Sequence, residues 1–144
     1  VNFTYGALLD PDPDGGFLVT FPEVPEALTH GDDRDEALRQ ARDALGMALL
    51  GYLKEGRALP EPGIGQTGRN RATVAPLAEQ AAKLAVMVSF AEAGISKSEL
   101  ARRMGKGETE ARRLLDPDHA SKLPALEAAL DALGHRMVIA VEPA

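Results

Sequence analysis

One short stretch limits the fold more than any other in the 144-residue chain: Asp10-Pro-Asp-Pro-Asp-Gly-Gly16, set between two apolar runs. Its prolines fix φ and remove two backbone donors, and its glycines favour a turn, so a helix or strand is expected to stop here. The flanks, Phe3-Thr-Tyr-Gly-Ala-Leu-Leu9 and Phe17-Leu-Val-Thr-Phe21, are rich in β-branched, aromatic and aliphatic residues. Together they predict a β-hairpin. Aspartates at alternate positions before a glycine also open a calcium-binding EF-hand loop. Such a loop starting at Asp10 needs a bidentate Glu at its twelfth position, where this chain has Phe21, and it joins helices rather than strands. The stretch therefore reads as an acidic turn, and no metal is expected.

Pro22-Glu-Val-Pro25 cannot continue a central strand. Ala27-Leu-Thr-His-Gly31 reads as a short third strand. Asp33 with Glu36 three residues on resembles a helix N-cap with its capping-box Glu. From there to about Glu55, Leu38, Ala41, Leu45, Ala48, Leu49 and Tyr52 recur at helical spacing, and Gly56 suits the C-terminal cap. Residues 57–71, rich in Pro and Gly, form a loop or linker, and Ala72-Thr-Val-Ala75 reads as a fourth strand. Residues 1–76 are thus expected to be a first domain of α+β class, one helix on a small sheet. A domain this small favours oligomerisation or a partner.

A second long helix is predicted over residues 77–93. Its Leu84, Val86, Met87, Val88 and Phe90 cover more than one face, which calls for burial on two sides or an interface. Ser96 and Glu99 form a capping box that opens a short helix with Leu100, Ala101 and Met104 inward, and Gly105 closes it. After Gly105-Lys106-Gly107 a second short helix runs to Leu115, with Ala111, Leu114 and Leu115 inward and Glu108, Thr109, Arg112 and Arg113 outside. This is the helix-turn-helix pattern. The major groove admits one helix, Arg can bond guanine bidentately, and Lys at the helix entrance suits phosphate. Lys106, Glu108, Thr109, Arg112 and Arg113 are accordingly the candidate DNA-binding residues, although Glu108 and Glu110 would repel phosphate. The plainer alternative is a helical hairpin with a solvated charged face. Asp116-Pro117 stops the helix, and Leu123, Leu126, Leu130 and Leu133 build a supporting one that Gly134 ends. Arg136-Met-Val-Ile-Ala-Val141 reads as a final strand. Residues 77–144 are therefore expected to be an all-α DNA-binding and dimerisation domain with a terminal strand.

The net charge of −6 hides an asymmetry. Residues 1–65 carry five Lys and Arg against twelve Asp and Glu, whereas residues 66–144 carry eleven against ten. An acidic first half repels nucleic acid and attracts a basic partner. The absence of cysteine excludes disulfides, thiolate zinc sites and a Cys nucleophile, and fits a reducing cytoplasm. No apolar run of ~18 residues is present to cross a membrane, and the N-terminus lacks a signal-peptide pattern. His30, His119 and His135 stand alone and read as solvated. No catalytic residue and no cofactor is expected.

In the first half the order Gly15-Gly-Phe17, Phe21-Pro-Glu-Val-Pro25, His30-Gly-Asp32, Glu36-Ala-Leu38 and Gly56-Arg57, and in the second Ala93-Gly-Ile95, Glu99-Leu-Ala-Arg102, Arg112-Arg-Leu-Leu115, Leu126-Glu-Ala-Ala-Leu130 and Leu133-Gly134, resembles the HicB-type antitoxins in their helix-turn-helix branch. The resemblance covers nearly the whole chain. Family members usually have Pro-Gly-Cys where this chain has Pro25-Glu-Ala27, and Thr in place of Asp33. The resemblance implies a first domain of degenerate ribonuclease H-like topology that masks a small basic HicA-like toxin, an mRNA interferase. It also implies a second domain that binds operator DNA and represses the toxin–antitoxin operon; the two-sided helix over residues 77–93, the terminal strand and the two-fold symmetry a helix-turn-helix gains on a palindromic operator point to a homo-oligomer, a dimer or higher.

Two other classes compete. A ribonuclease H-like nuclease needs paired carboxylates around metal ions. Here Asp10, Asp12 and Asp14 fall in a turn, Glu36 at a helix start, and Ala72-Thr-Val-Ala-Pro76 offers none. A stand-alone transcriptional regulator with an N-terminal sensor domain remains open on the residues alone.

Overall fold

The structure, a computed structural model, describes residues 2–63 and 68–144. The chain divides into two compact units, Val1–Ala81 and Ala82–Ala144. The first holds strands β1 (Tyr5–Pro11), β2 (Phe17–Thr20) and β3 (Leu28–Gly31), helix α1 (Arg34–Lys54) and strand β4 (Arg71–Val74). Helix α2 (Ala78–Ala93) contains the boundary, and α3 (Lys97–Met104), α4 (Glu108–Leu114) and α5 (Leu123–Ala132) follow. Among the described residues no helix is long and apolar enough to cross a membrane.

The expected hairpin forms. β1 and β2 pair antiparallel from Leu8↔Thr20 to Pro11↔Phe17. The Asp12 N–H donates to the Gly16 carbonyl at 2.9 Å, and Asp12 Oδ1 accepts from the Asp14 N–H at 2.9 Å. One carboxylate that resembled a metal ligand is thus used to close the turn. Gly16 stands at φ +79°, and a Cβ there would lie 2.3 Å from the Gly31 carbonyl oxygen. The sheet is antiparallel throughout, in the order β3-β2-β1-β4.

Strand alternation puts Tyr5, Ala7, Leu9, Val19, Ala72 and Val74 on the buried face. α1 covers that face with Ala37, Ala41, Leu45, Leu49 and Tyr52. Leu38 and Ala48, expected on the same stripe, are only half-buried, while Ala37 is fully buried. Gly31 explains the shift. A Cβ on it would sit 2.2 Å from the Ala37 nitrogen, so the end of β3 touches the helix backbone itself. The helix start is held there by its caps. Asp33 Oδ1 accepts from the Glu36 N–H at 2.8 Å, and Glu36 Oε2 accepts from the Asp32 N–H at 2.9 Å.

The far end of α1 is tied down by side chains. The Tyr52 hydroxyl donates to Glu26 Oε1 at 2.6 Å, and Arg57 Nη1 reaches Glu26 Oε2 at 3.1 Å. The Arg57 guanidinium also lies 4.0 Å from the Tyr52 ring centroid. These donors, the tyrosine first, hold the Glu26 carboxyl below its ordinary range. The loop over residues 57–71 connects α1 to β4, which pairs with β1, so it lies inside the sheet unit. The Tyr5 hydroxyl bonds the Pro60 carbonyl in it at 2.6 Å, and residues 64–67 of it lie outside the described residues.

In α2, Ala82, Lys83, Leu84, Val86 and Ser89 are buried. Leu84 and Val86 point to different sides, in keeping with the two-sided burial its apolar pattern predicts. The final strand is a correction. Residues 135–144 have no strand or helix conformation, and Val138, Ile139 and Val141 are exposed. A strand exists only through ladder bonds to a neighbour, and the helices preceding this segment offer no sheet edge.

Candidate functional site

The exposed charged surface around α4 is built from its turn outward. α3 starts at Ser96, whose Oγ accepts from the Glu99 N–H at 3.0 Å. The second half of the expected capping box does not form. The Glu99 carboxylate turns to Arg102, whose Nε lies at 2.8 Å, and to Arg103, whose Nε lies at 3.1 Å. Arg102 first and then Arg103 hold this carboxyl down to about 2. Gly105 ends α3 at φ 65°, ψ 31°, in the left-handed region. That geometry lets the Lys106 N–H reach the Ala101 carbonyl at 2.9 Å and the Gly105 N–H the Arg102 carbonyl at 3.1 Å.

α4 then begins after Gly107 and ends at Leu114, with Leu115 as its C-cap rather than its last helical residue. Ala111 joins Leu100, Ala101 and Leu133 in one buried cluster. Leu114 joins Ala82, Val86, Leu126, Ala129 and Leu130 in another, and Met104 and Leu115 pack against both. With these inward, Lys106, Glu108, Thr109, Glu110, Arg112 and Arg113 all lie exposed. All five candidate DNA-binding residues are therefore exposed to solvent. Glu108 is engaged: its Oε1 pairs with Arg112 Nη2 at 2.8 Å, and its Oε2 accepts from Ser98 Oγ at 3.1 Å. An exposed i,i+4 pair of this kind contributes only ~0.3–0.5 kcal/mol, so Arg112 can leave it for a stronger acceptor.

Lys83 on α2 was not singled out by the sequence. It is 4% exposed, and its ammonium donates to the carbonyls of Arg113 at 2.9 Å and Leu114 at 3.1 Å and to Ser121 Oγ at 2.8 Å. All three donors are satisfied, two of them by the C-terminal carbonyls of α4. Burial pushes its pKa down, opposed by Asp116. The only sequence signal is one lysine inside the apolar run Ala81-Ala-Lys-Leu-Ala-Val86.

The sheet unit presents different chemistry. The β1–β2 turn and the end of β3 lie at the same end of the sheet, because Phe17 pairs with both Pro11 and Gly31. That end gathers Asp10, Asp12, Asp14, Asp32, Asp33 and Asp35. His30 Nε2 lies 3.3 Å from the Gly15 carbonyl oxygen and 3.6 Å from Asp12 Oδ2, so this histidine braces the turn. Among the described residues no group of three or more His, Asp or Glu is placed to hold a metal ion. The sheet face opposite α1 carries Leu8, Leu18 and Leu28, of which Leu18 and Leu28 are exposed.

Residues 4–85 match the family model for the HicB-like antitoxin of bacterial toxin–antitoxin systems. Antitoxin HicB 1 of Photorhabdus laumondii is 36% identical over 141 residues, covering 98% of this chain and 88% of that protein. Antitoxin HicB of Escherichia coli K12 is 36% identical over 133 residues, 92% of this chain and 95% of its own length. Antitoxin HicB of Pseudomonas fluorescens is 36% identical over 144 residues, 100% of this chain and 97% of its own.

Proposed function

Since the chain belongs to the HicB-like family of toxin–antitoxin antitoxins, we propose that its sheet unit binds and neutralises a HicA-like mRNA interferase, and that its helical unit represses the operon by binding operator DNA. The observation that carries this reading is the division of chemistry between the units. One end of the sheet gathers six aspartates, while α4 turns two arginines outward on a well-packed helical base. An acidic surface beside exposed leucines suits a basic, RNA-binding toxin by charge complementarity. The ribonuclease H-like reading of the sheet unit is supported by the resemblance and by the strand order β3-β2-β1-β4 with one helix across one face.

For the operator, α3, the Gly105 turn and α4 act as a helix-turn-helix, with α4 entering the major groove. Arg112 and Arg113 read bases or hold phosphates, Thr109 stands beside them, and Lys106 makes a phosphate contact. Glu108 orients Arg112 before DNA arrives. We read the role as non-enzymatic, a reading supported by the naming of its relatives as antitoxins. The site of action is the cytoplasm, where operator and mRNA are found.

The test is co-expression of this chain with a HicA-like toxin, followed by co-purification and by operator binding measured with labelled duplex. Rescue of growth together with salt-dependent operator binding is expected. A chain that neither rescues growth nor co-purifies would sink the antitoxin reading. One that rescues but binds no operator would sink only the repressor half.

A further inference from the structure

Both carboxylate oxygens of Glu108 are held, and by two different helices. Oε1 accepts from Arg112 Nη2 at 2.8 Å, one turn further along α4, and Oε2 accepts from Ser98 Oγ of α3 at 3.1 Å. The carboxylate is thereby fixed across the Gly105–Gly107 turn, and the rotamer freedom that binding would otherwise cost is already spent. Ser98, Glu108 and Arg112 are all exposed, so a ligand can reach the three together. Near DNA a carboxylate is repelled by the phosphates. Orienting Arg112 is a small return for that repulsion, because an exposed ion pair one helical turn apart is weak. A carboxylate in this place is favourable when the DNA itself offers it a donor.

In the major groove cytosine presents the N4 amino group as a donor, and guanine presents O6 and N7 as acceptors. Within a G·C pair that amino group donates to O6, so the two atoms lie about 2.9 Å apart. The Arg112–Glu108 pair sets a donor and an acceptor side by side at 2.8 Å, in the opposite order. We infer that Glu108 is a specificity-determining residue that accepts from cytosine N4–H while Arg112 donates to O6 and N7 of the guanine in the same base pair, with Ser98 as the positioning residue that holds the carboxylate for it. This role rests on the operator-facing reading of α4 proposed above. It fixes an order of preference among base pairs. A reversed C·G pair and an A·T pair set like against like, the guanidinium on an amino group and the carboxylate on a carbonyl oxygen. A T·A pair keeps one bond to each side chain, through thymine O4 and adenine N6, but gives Arg112 no second acceptor. The order is therefore G·C first, T·A next, and the two reversed pairs last.

The test uses the full chain and a random-sequence duplex DNA library. The parent selects its preferred duplex, and one G·C pair in it should follow the order above when changed to each other pair. Its cytosine is then replaced by pyrimidin-2-one, which lacks the amino group. That change should weaken the parent roughly tenfold more than it weakens Glu108→Ala. Replacing the paired guanine by 7-deazaguanine, which lacks N7, should weaken the parent and Glu108→Ala alike and leave Arg112→Ala unaffected. Ser98→Ala should lose part of the amino-group penalty and keep the 7-deazaguanine penalty, and Ser98→Thr should restore the first. A merely loosened fold would not split the two penalties, and the helical circular dichroism of each variant should match the parent. Glu108→Ala should also bind unselected duplex more tightly than the parent at low salt, since a negative charge is gone, while its ratio of selected to unselected binding falls. Equal pyrimidin-2-one penalties in the parent and Glu108→Ala, or a Glu108→Ala chain that loses only the 7-deazaguanine penalty, would overturn the inference and leave Glu108 as a strut for Arg112. A parent that selects no sequence at all would overturn the repressor reading and this role with it.

Discussion

Replacing Lys83 by Met tests whether a buried ammonium holds α4 in place. The side-chain length is kept, and three hydrogen bonds are lost: two to the last carbonyls of α4 and one to Ser121. A hydrogen bond from a charged donor contributes ~1.5–3 kcal/mol net in mutational series. The Arg113 and Ser121 acceptors are partly exposed and can turn to water, whereas the bond to Leu114 is buried. Against this, Met avoids the desolvation that depresses the lysine pKa. The balance is a loss of ~2–3 kcal/mol, which in a unit this small lowers the melting temperature by roughly 10–20 °C. The pH dependence adds a second readout. Because the folded-state pKa is lowered, the unfolded chain holds more protons between that value and 10.5, so this group's contribution to stability rises with pH there. The substitution should remove that slope. Urea unfolding followed by circular dichroism at pH 7 and pH 10, with amide exchange of α4, reads all of this. A Lys83→Met chain as stable as the parent, with α4 amides equally protected, would refute the anchoring role.

Other expected outcomes follow from single contacts. The Glu99 carboxyl, held at about 2 by Arg102 and Arg103, contributes stability that is present above its ordinary value of 4.5 and is lost as pH falls from there through about 2. Low-salt melts between pH 6 and pH 2 should therefore fall more steeply for the parent than for Glu99→Gln, and high salt should narrow the gap because the pairs are exposed. Gly31→Ala drives a Cβ into the backbone of Ala37 and should cost ~1–3 kcal/mol by denaturant unfolding; an unchanged midpoint would disprove the close approach of β3 to α1. At the operator, Arg112→Ala or Arg113→Ala should cost ~1–3 kcal/mol at one base position if it reads a base, whereas Lys106→Ala should weaken all sequences alike and flatten the salt slope. Toxin neutralisation should survive all three, and operator binding equal to the parent in all three would show that α4 is not the reader.

What the sequence determined by itself is the set of local decisions. The hairpin at Asp10–Gly16, the Asp33 cap of α1, the Ser96 cap of α3 and the Gly105 turn are each settled within a few residues by φ restriction or by a side-chain oxygen reaching a nearby N–H. The exposure of Arg112 and Arg113 follows the same way, because Ala111 and Leu114 take the inward positions of α4. The decisions that needed tertiary structure join residues far apart in the chain. Ala37 took the buried place expected of Leu38 at the start of α1, where Gly31, on another element, lets the backbones touch. Glu99 left its capping box for two arginines on the next turn, a competition between acceptors that spacing cannot rank. Lys83 became an anchor only when α4 ended against it, thirty residues further on. The segment 136–141 has the pattern of a strand but is none within one chain, because a ladder needs a neighbouring edge, and its own sequence does not supply that neighbour.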